Sequence, residues 1–217
     1  MNPTLLLDLD GTLVDSATDL MAALNRLMAA RALPAFDRPA VVGMIGDGIE
    51  ALVARALAAR GLAPDPAALA TFRADYDQHF ADATRPYPGV GATLRQMAAR
   101  GWRLAVCTNK PERVARTLLG ALGLLDSLAA VGGGDSFPTR KPDPAHVHAT
   151  LAAAGGDAAT AVMVGDHAND VKAAAGAGMP CIFALWGYGP VAMAQGAAAT
   201  AQAMTEVPAI AARLVRG

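Results

Sequence analysis

Residues 8–16 read DLDGTLVDS and follow directly on the apolar run Leu5-Leu6-Leu7. A carboxylate buried without a partner is costly, so two aspartates closing a leucine run need a cation or hydrogen-bond donors to offset their charge. The pattern fits a buried strand that ends at a ligand site. Successive side chains of a strand point to opposite faces, so Asp8 and Asp10 are expected to face one way with Leu9 turned into the core. Gly11 then lets the backbone turn beside whatever the two acids hold.

Outward from this first strand, expected over residues 4–9, further short apolar runs without alternation read as strands buried on both faces. They cover residues 103–107, 129–131, 161–164 and 181–185. Between them, residues 113–122, 144–154 and 169–175 have the lengths of crossover helices, and a last helix is expected from about 207 to the C-terminus. Strands alternating with helices predict an α/β fold with a doubly wound, Rossmann-like parallel sheet. Residues 15–85 break the alternation with helices only, expected at 16–31, 49–60 and 66–80 and punctuated by Pro34, Pro39, GMIGDG at 43–48 and Pro64. They read as an inserted all-helical cap domain, leaving 1–14 and 86–217 for the catalytic core. Its two attachment points should lie close together, as a hinged lid requires.

A chain of 217 residues with 53% hydrophobic and 17% charged residues can bury a sizeable core and is too apolar for disorder. A net charge of -1 supplies no field to draw nucleic acid or an anionic membrane, so a small soluble ligand is the expected partner. Cys107 and Cys181 lie in apolar runs and suit a reducing compartment, and the first residues lack the basic region of a secretory signal. A cytoplasmic protein, monomer or homodimer, is expected. Residues 173–205 carry no charge, but glycines and prolines break the stretch too often for a membrane span.

Ligands of an open parallel sheet bind beyond the carboxyl ends of its strands, so the residues following each strand carry the information. Those residues are Asp8, Asp10 and Gly11; Thr108, Asn109 and Lys110; Asp135 and then Lys141; and Gly165, Asp166 and Asp170. Asp8 and Asp166 can share one hard cation, for which Mg2+ is the fitting metal because it keeps waters and accepts a substrate phosphate. An aspartate attacking phosphorus forms an aspartyl-phosphate, while a second acid protonates the departing alkoxide and later activates water. Thr108 with the neighbouring amides at Asn109 can hold phosphoryl oxygens, and Lys141 can offset the charge gathered when carboxylate and phosphate meet.

The segments DLDGTLVDS, CTNK, RKPDP and GDHANDV, in this order and spacing, resemble the four motifs of the haloacid dehalogenase superfamily of phosphohydrolases. The resemblance spans essentially the whole chain, because segment 15–85 is similar to the helical cap found after the first strand in one subclass. Within that subclass, VGMIGDGIEALVARAL, TRPYPGV and WGYGP look most like phosphoglycolate phosphatases and their near relatives. The resemblance implies Asp8 as nucleophile, Asp10 as acid/base, and Thr108, Asn109 and Lys141 as phosphate ligands. It further implies magnesium on the side chains of Asp8 and Asp166 and the backbone carbonyl of Asp10, with Asp170 in support. His167 and Leu7 depart from the residues frequent at their positions without removing a catalytic group.

Each signal has a plainer reading. A DxD could open a calcium loop, but that needs glycine sixth and glutamate twelfth, whereas Gly11 is fourth and Asp19 twelfth. Lys110 reads as support for the following helix start, Cys107 as a buried strand residue, and His79, His146 and His148 as helix-face residues. His167 reads as lining the site without doing chemistry, and the GMIGDG loop as facing substrate with its amides and Asp47.

Neighbouring activities separate by residue. A haloacid dehalogenase does not need a second acid at Asp10, and a phosphonatase of this family needs a cap lysine, whereas the three lysines are Lys110, Lys141 and Lys172. A phospho-accepting signalling domain places its aspartate after the third strand and has no cap. A sugar-phosphate mutase shares all four motifs and stays open, as do nucleotides, sugar phosphates and pyrophosphate as substrates. The leading expectation is a magnesium-dependent phosphate monoester hydrolase acting on 2-phosphoglycolate, with an arginine (Arg26, Arg31, Arg38, Arg55, Arg60, Arg73 or Arg85) or free amides reading its carboxylate.

Overall fold

The computed structural model describes residues 2–215. Its strands are β1 Thr4–Leu7, β2 Val14–Asp15, β3 Arg85–Pro86, β4 Arg103–Cys107, β5 Ala130–Gly132, β6 Ala161–Gly165, β7 Cys181–Ala184 and β8 Ala199–Ala201. Its α-helices are α1 Ala17–Ala30, α2 Arg38–Val42, α3 Ile49–Ala58, α4 Pro66–His79, α5 Val90–Ala99, α6 Glu112–Ala121, α7 Pro144–Ala153, α8 Ala168–Gly176 and α9 Val207–Leu214. The expected run of the last helix to the C-terminus lies, beyond Val215, outside the described residues.

Six strands form one parallel sheet in the order β5-β4-β1-β6-β7-β8. Strand β1 is central, paired on both sides with Leu7 opposite Val106 and Val164, which is why TLLL has no polar alternation. Leu5 and Leu7 pack with Leu94, Val106 and Val164 on one face of the sheet, and Leu6 with Ala105, Met163 and Phe183 on the other. The order of connection reverses between β1 and β6, the place where doubly wound sheets bind their ligands.

Between β2 and β3 the chain is helical, and these helices share their own apolar cluster of Leu20, Leu24, Met28, Leu52, Phe72 and Tyr76. Helix α4 starts where Asp65 accepts from the Ala67 N–H and Pro66 fills a first-turn position that needs no donor. Strands β2 and β3 pair antiparallel with Asp15 opposite Arg85, so the chain leaves and re-enters at one point. Asp19, buried at the start of α1, accepts from the Ala83 and Thr84 N–H groups and the Thr84 hydroxyl, fastening the return to the departure.

The first strand is shorter than expected. After Leu7 the chain turns, and the Leu9 carbonyl collects the N–H groups of Thr12, Leu13 and Val14. Asp10 therefore lies in a turn rather than on a strand, although Leu9 is buried with Leu5 and Leu7 as expected. The turn needs Gly11, whose φ is +85° and whose missing Cβ would collide with the Asp166 carboxylate. Helices α2 and α5 and strands β2, β3 and β8 were not expected. The apolar positions Val90, Leu94 and Met97 of α5 have helical spacing, but Pro86, Pro88, Gly89 and Gly91 obscure it. Strand β8, ATA, is a sheet edge whose backbone pairing with β7, not side-chain pattern, makes it a strand.

Candidate active site

The strand ends place the acids. Asp8 follows β1, and its N–H donates to the Val164 carbonyl of β6 at 2.9 Å, so it sits beside Asp166, which follows β6. Ligand oxygens of Asp8, Asp166 and Asp170 lie within 4.8 Å of one another, all three residues buried. Asp166 is oriented by the Thr12 hydroxyl on Oδ1 at 2.9 Å and the Tyr188 N–H on Oδ2 at 2.7 Å. Asp170 takes the His167 N–H on Oδ2 at 3.0 Å and the Lys141 ammonium on Oδ1 at 2.6 Å. His167 and Asp170 form a reciprocal cap on the start of α8, so Asp170 arrives with that helix.

Lys141 Nζ also stands 2.9 Å from Asp8 Oδ1, an ion contact without hydrogen-bond alignment, since that oxygen is buried and has no hydrogen-bond partner. Burial would pull Lys141 down, but Asp170 and Asp8 outweigh it and hold the ammonium above its ordinary range. Burial, with Asp8 and Asp170 nearby, pushes Asp166 up to about 7; burial, with Asp8 adding to it against the pull of Lys141, raises Asp170 to about 6. Clustered acids that resist ionising together are what a divalent cation relieves. The donor set, all hard oxygens with one buried oxygen unmatched by a hydrogen bond, fits magnesium.

Asp10 points elsewhere. Its carboxylate accepts from the Ser16 hydroxyl at 2.5 Å and from Lys110 Nζ at 3.0 and 3.2 Å, so this side chain is not one of the clustered acids. Lys110, expected to serve the next helix, is instead fully buried and reaches from β4 to Asp10. Burial opposes its charge, but Asp10 and the Tyr76 hydroxyl hold it above its ordinary range. Sequence offers little warning, since lysine is usually solvent-exposed. Thr108 is buried at the end of β4 with its hydroxyl accepting the Lys110 N–H at 3.2 Å. Asn109 commits its side-chain amide to the carbonyls of Gly46 and Lys141, at 3.0 and 2.9 Å. His146, expected on a helix face, is buried and accepts the Lys141 N–H on Nδ1 at 3.2 Å; burial pushes it down to about 4 and so keeps it neutral.

Asp8, Asp10, Thr108 and Lys110 form one wall of a cavity, and Leu20, Ile45, Gly46, Gly48, Ile49 and Leu52 of the insert form the other. The GMIGDG loop thus faces the site through Ile45, Gly46 and Gly48. Asp47 does not line this cavity; it accepts from Asn169 Nδ2 at 2.6 Å and pairs with Arg55. No arginine lines it either. Arg26, Arg31, Arg38, Arg55 and Arg73 pair with Asp75, Asp65, Asp15, Asp47 and Glu50, while Arg60 and Arg85 bond backbone carbonyls. His167 stands on the far side of the loop, beside Asp47, Arg55 and Tyr188.

A sheet with acids at its reversal point and a helical roof above them defines a class of hydrolase. A family model described as haloacid dehalogenase-like hydrolase matches residues 5–184, and the chain belongs to that family. Among its relatives, a phosphoglycolate phosphatase of Rhodospirillum rubrum is 46% identical over 196 residues, covering 87% of this chain and 81% of the relative. Another phosphoglycolate phosphatase, of Agrobacterium fabrum, is 39% identical over 90% of this chain and 85% of its own length. A solved structure described as a predicted phosphoglycolate phosphatase from Haemophilus somnus aligns with a TM-score of 0.87 at 28% identity, covering 96% of this chain and 97% of that one. The chain is a phosphatase of this family.

Proposed function

We propose that the protein hydrolyses 2-phosphoglycolate, with Asp8 as nucleophile, Asp10 as acid/base, segment 15–85 as cap and the cytoplasm as its compartment. The observation that carries this reading is the Asp8 carboxylate, 2.9 Å from Lys141 Nζ, clustered with Asp166 and Asp170 and lining a cavity whose opposite wall is Leu20, Ile49 and Leu52. Asp8 attacks phosphorus, and the bond to the ester oxygen breaks as Asp10 supplies that oxygen's proton. Water, deprotonated by Asp10, then attacks the aspartyl-phosphate, releasing inorganic phosphate and restoring Asp8. Lys141 and Thr108 hold phosphoryl oxygens while negative charge gathers at Asp8. Asn109 acts through its place at the loop, since its side chain braces Gly46 against Lys141. The side chains of Asp8 and Asp166 and the Asp10 carbonyl, with Asp170 in support, would hold magnesium, which would supply charge neutralisation at phosphate and carboxylate.

With every cap arginine engaged outside the cavity, the backbone amides at the start of α3 are the remaining reader for the glycolate carboxylate. Gly48 caps that helix without a side chain, leaving the Ile49 N–H for an anion, while the Glu50 N–H is met by its own carboxylate. The small apolar wall of Leu20, Ile49 and Leu52 disfavours sugars and nucleosides, whose hydroxyls would lose their hydration there. Phosphate release measured across 2-phosphoglycolate, a nucleoside monophosphate, pyrophosphate, hexose phosphates and β-glucose 1-phosphate tests the reading. A preference for 2-phosphoglycolate is expected; a marked preference for any other, or conversion of β-glucose 1-phosphate to an isomer, would displace it.

A further inference from the structure

Lys110 has no part in the chemistry above, yet it is among the most enclosed charges in the molecule. An ammonium offers three hydrogens and no acceptor. Three oxygens surround Lys110 Nζ: Asp10 Oδ1 at 3.0 Å, Asp10 Oδ2 at 3.2 Å and the Tyr76 hydroxyl at 2.8 Å. Its donors are matched one for one, with none left over for phosphate. Gripped on both oxygens by Lys110 and on one by Ser16, the Asp10 carboxylate can neither rotate nor swing without breaking a charge-assisted bond.

Tyr76 belongs to the insert, whereas Lys110 and Asp10 belong to the core. The tyrosine is buried, stacked on Phe72 with ring centroids 5.7 Å apart and edge-on to Phe80 at 6.5 Å, so its hydroxyl is held by the packing of α4. The Lys110 ammonium also lies 4.9 Å from the Tyr76 ring centroid, a cation–π distance. We propose that Lys110 is a positioning residue for Asp10, and that the Tyr76 hydroxyl is the contact through which the seated insert holds Lys110 in register. The proposal rests on Asp10 being the acid/base. A displaced α4 takes the third partner from a buried cation, so Asp10 is in its working position only under a seated insert.

The test is steady-state kinetics, with magnesium present, on wild type, Tyr76→Phe, Lys110→Met and both changes in an Asp10→Asn background, together with the dissociation constant of inorganic phosphate. Tyr76→Phe keeps the ring stack and removes one bond, so kcat should fall about tenfold with KM within about twofold. Lys110→Met should lower kcat on the order of a hundredfold, leave phosphate binding within about twofold, and cost less than about threefold more once Asp10 is already asparagine. Wild-type kcat in Tyr76→Phe, weakened phosphate binding in Lys110→Met, or losses that multiply in the double variants would each overturn the proposal. If Lys110→Met does not fold, Tyr76→Phe alone and combined with Asp10→Asn decides the matter. A wild type inert to every ester tried would overturn the functional reading and this proposal with it; an active wild type with unaffected variants overturns this proposal alone.

Discussion

The Tyr188 backbone N–H donates to Asp166 Oδ2 at 2.7 Å, while the hydroxyl of the same tyrosine accepts the N–H groups of Ser16 and Ala17 at 2.7 and 3.0 Å. One residue of the loop after β7 thereby joins a carboxylate of the cation cluster to the first turn of the insert. The same hydroxyl donates to Asp15 Oδ1 at 2.9 Å, and the neighbouring Trp186 indole donates to the Thr12 carbonyl at 3.0 Å. The segment WGYGP is thus a brace between the Asp166 carboxylate and the start of α1.

Tyr188→Phe keeps the backbone bond to Asp166 and removes the acceptor of two helix-start amides. Stability should fall by about 1–3 kcal/mol, read from urea unfolding, because the Ser16 amide is left unmatched in a partly buried place, while the Ala17 amide keeps Asp15 Oδ1 at 3.3 Å. Magnesium affinity should change little. An unchanged unfolding midpoint would show that water replaces the hydroxyl.

Asp8→Asn should abolish phosphate release while circular dichroism and unfolding stay near wild type, because an amide cannot form the phosphoryl bond. Asp10→Asn should retain substrate binding and lose on the order of a hundredfold or more in kcat. Full turnover in either variant would move that role to another residue.

Chelation by EDTA should silence the enzyme and magnesium should restore it. The sign of the pH dependence follows from Asp166 near 7 and Asp170 near 6, both raised above the ordinary carboxylate value. The folded, metal-free protein holds protons there that the unfolded chain has released, so these two groups cost stability as pH rises from about 4 to 7. The cation needs both ionised and competes with those protons. The rise in Tm on adding magnesium should therefore be small at pH 5 and larger at pH 8, and a constant rise would place the cation elsewhere.

Gly11→Ala should lose most activity and lower Tm by several degrees. Its φ of +85° suits glycine, and a methyl group would press on the Asp166 carboxylate. An active, stable Gly11→Ala would mean the β1 turn is more tolerant than its geometry allows.

What the sequence determined by itself was everything encoded over short spans. Unalternating apolar runs marked five of the six sheet strands, and the polar residues at the ends of the runs at 4–9, 103–107 and 161–164 marked the edge where Asp8, Thr108 and Asp166 meet. Helical periodicity marked the insert, and the Pro86–Gly89 punctuation marked its return. Packing decided the rest. Lys110 and Tyr76 are 34 positions apart and Thr12 and Asp166 are 154 apart, and no local pattern predicts which buried donor meets which acceptor. The arginines were legible as charges but not as partners, and only the folded surface engaged all seven away from the cavity. Strand and helix patterns follow from backbone geometry repeated every few residues, whereas the pairing of a buried charge is set by whichever opposite group the whole fold brings within 3 Å.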